Sequence, residues 1–319
     1  MIADPDGTVV LSSLGWVDGD ALWRFHAPSG RIDAVPLGTG ARYCSLHDAG
    51  AGPAGSGRFA LAHHFDGRRF EVSVRDFAAP AAILARAAVG PAESRVDGEA
   101  SAWSGVPRLY VEYLGFAPWN DWALLSVSPS TRAVAIQRLA WYDDSYDKGY
   151  QGVTGVLELP GADAALVSVQ RSSRLVLHDL ETGAQRRAID LADRGGNPRL
   201  ALRDSGREVW ASDYDTIAVL RTDTWQVARS ARLQGAVAGT QQFIGGFSFA
   251  PDEPVCVVAR PFSGDVLGLD VETLKVRRAA RLGRQPLEVT ALRGGQVAAR
   301  DWKTGDLLRG VLKRQWFGR

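Results

Sequence analysis

Between Gly195 and Leu233 apolar and polar residues alternate in four short runs, Arg199–Arg203, Glu208–Ala211, Thr216–Leu220 and Gln226–Leu233. A period of two places every second side chain on one face, as in a half-buried β-strand. Asp204-Ser205-Gly206 separates the first two runs and Thr222-Asp223-Thr224 the last two. These residue types make turns, because Gly reaches positive φ and Asp, Ser and Thr bond the backbone of the turn itself. The unit predicted is four antiparallel strands joined by hairpins.

The unit recurs along the chain. Its third turn reappears as His26–Gly30, Ser128–Arg132, Leu180–Gly183, Arg221–Thr224 and Asp270–Leu274. Its first turn reappears as Asp4–Gly7, Pro160–Asp163, Asp204–Gly206 and Ala250–Pro254, and a degenerate copy runs from Ala41 to Ala88. Such copies, roughly 30 to 50 residues each, fit four-stranded propeller blades. The Ala-rich stretch Ala78–Val89 is helix-prone by propensity, but its register within the repeat predicts a strand. The expected fold is all-β: a seven-bladed β-propeller of four-stranded antiparallel blades. One domain over 1–319 is expected, with blades near 1–38, 39–89, 90–140, 141–192, 193–234, 235–283 and 284–319. The first and last copies look incomplete. Pairing of the two terminal cassettes edge to edge would hide their open strand edges.

The order Pro, short strand, S/D-P-D-G, strand, strand, D-x-x-T-G, strand resembles the YVTN-type β-propeller repeat, best over residues 195–283. That resemblance implies architecture and little about activity, since one fold hosts many functions.

Turns between first and second and between third and fourth strands fall on one face of such a disc. They contain little beyond what a turn needs. The loops between second and third strands fall on the other face, and they differ: Gly15–Asp20, His63–Arg69, Gly115–Asp121, Gln170–Ser173, Ser212–Thr216, Arg260–Asp265 and Arg300–Asp306. Most pair an aromatic with Asp, often beside Arg or His. Turn geometry requires Gly and Asp but not Trp16, Phe65, Trp119, Tyr214, Phe262 or Trp302. Aromatics mixed with Arg and Asp are what binding surfaces use; packing between neighbouring blades is the alternative for each residue. Trp16, Trp119, Arg171, Asp213, Tyr214, Arg260, Phe262, Arg300, Asp301, Trp302 and Lys303 are therefore the candidate ligand contacts. Trp141, Tyr142, Tyr146 and Tyr150 join them from the long segment Trp141–Gly152, and a second connecting segment, Gln234–Gly246, shares that face.

Motifs for chemistry are sparse. Lys303-Thr304-Gly305 matches the KTG box of penicillin-binding enzymes, but no S-x-x-K serine on a helix accompanies it. Gly50–Gly55 fits G-x-G-x-x-G without the following helix that a dinucleotide needs. His63, His64, Asp213 and Asp301 are the catalytic candidates, with strand capping as the alternative for the histidines. No zinc pattern occurs. Asp143, Asp144 and Asp147 are the metal candidates, for Ca2+, although the D-x-D-x-D-G loop is missing. Asp213, Asp215 and Asp301 could also converge on a cation. No cofactor is otherwise expected.

A formal net charge of +1 argues against capture of nucleic acid. No apolar run is long enough to span a bilayer, and the first residues carry acids where an export signal carries positive charge, so a cytoplasmic protein is expected. Cys44 and Cys256 sit in apolar runs and read as two buried thiols. The expected function is binding of a polar ligand, a saccharide or a peptide segment, on the aromatic face. A hydrolase or lyase at the same place and a protein-interaction scaffold are the alternatives.

Overall fold

The computed structural model describes residues 1–4, 6–13, 21–36, 43–51, 58–65, 70–89, 95–103, 107–114, 121–127, 134–139, 153–159, 162–169, 174–179, 181–191, 199–233 and 243–314. Their strands form seven antiparallel sheets in chain order. Sheet 1 is β1 (Ile2–Ala3), β2 (Val9–Ser13), β3 (Ala21–His26) and β4 (Arg31–Pro36). Sheet 2 is β5 (Tyr43–Ala51), β6 (Arg58–Phe65), β7 (Phe70–Asp76) and β8 (Ile83–Val89). Sheet 3 is β9 (Arg95–Trp103), β10 (Pro107–Leu114), β11 (Asp121–Val127) and β12 (Val134–Leu139). Sheet 4 is β13 (Val153–Leu159), β14 (Ala164–Val169), β15 (Arg174–Asp179) and β16 (Gln185–Asp190). Sheet 5 is β17 (Arg199–Arg203), β18 (Glu208–Asp213), β19 (Thr216–Arg221) and β20 (Gln226–Arg232). Sheet 6 is β21 (Phe247–Phe249), β22 (Val255–Arg260), β23 (Asp265–Asp270) and β24 (Val276–Arg281). Sheet 7 is β25 (Pro286–Ala291), β26 (Gln296–Asp301) and β27 (Leu307–Val311), and β28 (Lys313–Arg314) ends the described chain.

The four runs read in Gly195–Leu233 are the four strands of sheet 5. The Ala-rich stretch is a strand over Ile83–Val89, as its place in the repeat predicts. Among the described residues, no helix is long and apolar enough to cross a membrane.

The first strands of most successive sheets lie beside one another, and β1 also lies beside β25. The second strands β18 and β22 and the third strands β19 and β23 are mostly buried, whereas the fourth strands β16 and β20 are mostly exposed. The core therefore lies between neighbouring sheets. Leu166, Leu175, Val209 and Leu220 join sheets 4 and 5. Trp210, Val219, Cys256 and Leu267 join sheets 5 and 6, and Val257, Val266, Val297 and Ala299 join sheets 6 and 7. Apolar contact of this kind stabilises each sheet only through its neighbours. Cys256 is fully buried, and burial pushes its thiol far above the ordinary range, so it is an inert part of this packing.

The repeated D-x-x-T turn has a concrete cause. Asp179 Oδ1 accepts hydrogen bonds from Glu181 N, Thr182 N and Thr182 Oγ1. Asp270 Oδ1 accepts the same set from Glu272 N, Thr273 N and Thr273 Oγ1. One carboxylate oxygen thus holds the whole turn, and the fifth residue, Gly183 or Leu274, takes positive φ. First and third turns share one face, since Arg186 Nη1, beside the turn at Asp179, bonds the carbonyl of Ala162 in the first turn of its sheet.

Among the described residues the first copy has four strands, its first only Ile2–Ala3, while the last copy is short of one. Sheet 7 has three strands, and β28 pairs with β24 instead, giving sheet 6 a fifth strand. The reason is Leu312, which is buried between sheets 6 and 7 and donates its amide to Gly295 O. That anchor turns the chain back across sheet 6. The expected edge-to-edge pairing of the terminal cassettes falls partly on residues 315–319, outside the described residues; among the described residues the two ends meet by packing. Val10 and Phe25 of sheet 1 meet Leu292 and Ala298 of sheet 7, and Arg293 bonds Asp6 at 2.8 Å.

Glu288 ties the same junction. Its carboxylate holds the Met1 ammonium at 2.9 Å and Arg300 at 2.5 Å. Burial acts to raise its pKa, but the Met1 ammonium and Arg300 outweigh it and bring it down to about 2. A depressed carboxylate contributes stability above its unfolded value of 4.5, and this is lost as pH falls through the folded value. Glu288→Gln is expected to cost about 1–2 kcal/mol at neutral pH, discounted for its partial exposure. It should also flatten the melting temperature between pH 4.5 and about 2. Thermal melts across that window check both; a variant as acid-sensitive as the parent would place the titration elsewhere.

Candidate functional site

The turn Asp301–Asp306 joins β26 to β27. Asp301 Oδ1 accepts from Lys303 N, Thr304 N and Thr304 Oγ1, and Oδ2 accepts from Gln285 N at 3.0 Å. This is the device already seen at Asp179 and Asp270, moved to the opposite face. Burial acts to raise the carboxyl pKa, yet the amides of Thr304, Gln285 and Lys303 hold it below the ordinary range. Gly305 takes φ of 73°, which a side chain would resist. The KTG triplet is thus the frame of a turn, and Asp301 is committed to that frame.

The frame aims Trp302 outward. Trp302 donates its amide to Gln285 O, while its ring meets Phe243 at 5.4 Å and Phe262 at 6.0 Å. Phe243 and Phe262 stack edge to face at 5.1 Å. Phe262 comes from the β22–β23 turn and Phe243 from the segment entering β21. Phe243 is fixed from behind: Ile244 donates to Tyr214 O, and Gly245 lies so close to Leu287 that an added Cβ would sit 2.4 Å from its carbonyl oxygen. Edge-to-face rings stabilise one another beyond their burial. The cluster nonetheless faces water, with Phe262 47% and Trp302 49% exposed. They are two of five large apolar side chains exposed among the described residues.

The charged candidates are placed differently from the rings. Arg260 is buried and forks onto Asp265 at 2.8 and 2.5 Å. Arg300 is held by Glu288. Asp213 is buried at the end of β18, and Asp215 is bonded by Arg232 at 2.7 Å. Tyr214 sits between them with φ of 53°, its carbonyl engaged with Ile244. Lys303 is exposed beside Trp302. Among the described residues, no three His, Cys, Asp or Glu side chains come together as a metal site would require, so Asp213, Asp215 and Asp301 do not converge.

His63 and His64 lie within β6, paired with Ser45 and Cys44 on one side and Val72 and Glu71 on the other, rather than in a loop. The strand runs three residues into the predicted loop His63–Arg69, because Phe65 pairs with Tyr43 and Phe70. Their side chains lie outside the described residues. So do Trp16, Trp119, Arg171, Trp141, Tyr142, Tyr146, Tyr150, Asp143, Asp144 and Asp147. Phe243 is the residue that sequence reasoning missed. Its one signal was a lone aromatic in the polar segment Gln234–Gly246, just ahead of Gly245-Gly246.

No protein-family model matches the sequence, and no curated protein sequence is similar to it. Solved structures do resemble it. The β-propeller domain of Cps50 (Swd1) from Myceliophteria thermophila superposes with a TM-score of 0.71 at 12% identity, covering 98% of this chain and 95% of that one. A chain of the Mitotic Checkpoint Complex superposes with a TM-score of 0.65 at 12% identity, covering 99% and 89%. At such identity the likeness establishes the fold, an all-β propeller, and nothing about activity.

Proposed function

We propose that the seven sheets are the blades of one seven-bladed propeller domain over 1–319, and that it is a binding module whose anchor is Phe243, Phe262 and Trp302. The observation that carries this is an aromatic cluster braced from behind and half open to water in front. A ligand that covers it removes apolar surface already held in place, so little ordering is lost. The ligand class favoured is a peptide segment of a protein partner. Stacking on a saccharide wants carboxylates free beside the rings to accept from hydroxyls, whereas Asp301 and Asp265 are engaged with a turn and with Arg260. The same commitments weigh against a hydrolase or lyase built on Asp301. Arg300, Lys303, Tyr214 and Asp213 flank the anchor, and an intracellular setting is part of this reading.

A peptide array and a glycan array probed with the parent and with Trp302→Ala test it. The parent should retain peptides with a large apolar residue. Trp302→Ala should weaken them by about 1–3 kcal/mol, as for an aromatic hot spot. Its melting temperature should move little, because a half-exposed ring contributes little burial. Retention of glycans alone would make the ligand a saccharide. A stability loss of about 3–5 kcal/mol would return Trp302 to the role of packing.

A further inference from the structure

The outer edge of sheet 7 lies apart from the aromatic anchor, on the side of the Asp301–Asp306 turn that faces sheet 1. Among the described residues β27 pairs only with β26, and none of them covers its outer edge. Beside it is a cleft of about 470 Å³ lined by Trp23 and Ile32 of sheet 1 and by Arg284, Gly305, Asp306, Leu307 and Leu308. Leu307 and Leu308 belong to β27 and Ile32 to β4, the fourth strand of the neighbouring sheet. The cleft therefore occupies the place that a fourth strand of sheet 7 would fill. Two more of the five large apolar side chains exposed among the described residues belong to these strands: Ile32, which lines the cleft, at 46%, and Val311, at the far end of β27, at 52%. These two exposed residues have a common explanation if a strand normally covers them.

We infer that this edge takes up an extended acidic peptide from a protein partner as the fourth strand of sheet 7. A free edge offers unpaired N–H and C=O groups, and an added strand satisfies them in register with its side chains alternating in and out. Inward apolar side chains would enter the cleft against Ile32 and Leu307. The charges along the edge select the outward ones. Arg284 and Arg309 are exposed there beside one exposed carboxylate, Asp306, which Arg284 approaches at 3.4 Å. Arg309 rests on Phe25 at 5.2 Å and points at no carboxylate among the described residues. The same charges oppose a second copy of this chain. Two β27 strands paired antiparallel would bring Arg309 near its own copy, and like charges across a pair destabilise it.

The experiment is a fluorescence anisotropy titration of the full chain with a blocked decapeptide alternating valine and glutamate. A valine–lysine peptide and a fully N-methylated valine–glutamate peptide serve as comparisons. Amide hydrogen exchange over Leu307–Val311 is followed in parallel. The valine–glutamate peptide should bind and slow exchange in β27. Replacing glutamate by lysine should weaken it by about tenfold or more, and N-methylation should abolish binding, since it removes the ladder donors while keeping every side chain. Arg309→Glu should weaken binding while Arg309→Lys retains it, with melting curves confirming that both variants fold. Equal binding of the N-methylated peptide, unchanged exchange in β27, or a concentration-dependent dimer that excludes the peptide would each overturn the inference.

Discussion

Trp210→Ala should destabilise the protein by about 3–5 kcal/mol, the cost of emptying a large buried aromatic site. Trp210 is fully buried in the cluster that joins sheets 5 and 6. Its ring meets Phe249 edge to face at 5.1 Å, and Arg229 lies over it at 5.8 Å. Its indole N–H donates to Glu208 Oε2, which also accepts from Arg203 and Arg229. One truncation therefore opens a cavity between two sheets and frees a network that spans them. Trp210→Phe should cost less, because most of the volume stays while the hydrogen bond to Glu208 goes. Urea unfolding of the two variants measures this. A loss below about 1 kcal/mol for the alanine variant would mean that the two sheets do not stabilise one another through this cluster.

Asp301→Ala should cost about 2–4 kcal/mol, since one buried carboxylate satisfies three amides and a hydroxyl. Lys303 and Thr304 can turn to water, but Gln285 is partly buried and its amide would lose its acceptor. Asp301→Asn keeps an acceptor without the charge and should fall between. The pH dependence carries a sign. The folded carboxyl lies below its ordinary value, so its contribution is complete above the unfolded pKa and is lost as pH falls through the folded one. The parent should lose stability in that acid range faster than Asp301→Asn. Because the turn presents Trp302, the alanine variant should also weaken peptide capture more than its melting point alone suggests. If it melts like the parent, the turn is held by its glycine and its hairpin rather than by the carboxylate.

Much of this architecture was legible in the order of residues. Period-two runs and Gly/Asp/Thr turns are local, so β17 to β20 could be placed within a residue or two at most ends. The shared design of the turns at Asp179 and Asp270 was visible as a repeated D-x-x-T pattern, because one carboxylate bonding amides two and three residues ahead needs only local chain. The rings of Phe262 and Trp302 could be assigned to one face by counting turns.

What a residue meets on the neighbouring strand or in the next sheet was not legible. Arg260, Arg300 and Asp301 read as ligand-binding groups because their types suit that chemistry; in the fold each also holds a partner, Asp265, Glu288 and the amide of Gln285. Asp265 closes the same hairpin as Arg260, and Glu288 lies opposite Arg300 on the neighbouring strand, so strand register sets these pairs rather than residue type. Phe243 joined the aromatic cluster only because Gly245 lets its segment press onto Leu287. The course of the chain end was not legible either, since Leu312 is drawn between sheets 6 and 7 and β28 pairs with β24. The sequence by itself determined the strands, the turns and the all-β repeat, because backbone bonding and side-chain alternation act over a few residues. The tertiary structure decided which charges pair, which rings stay exposed and which sheet the chain end joins, because those follow from strand register and from burial between sheets, which residue types alone do not set.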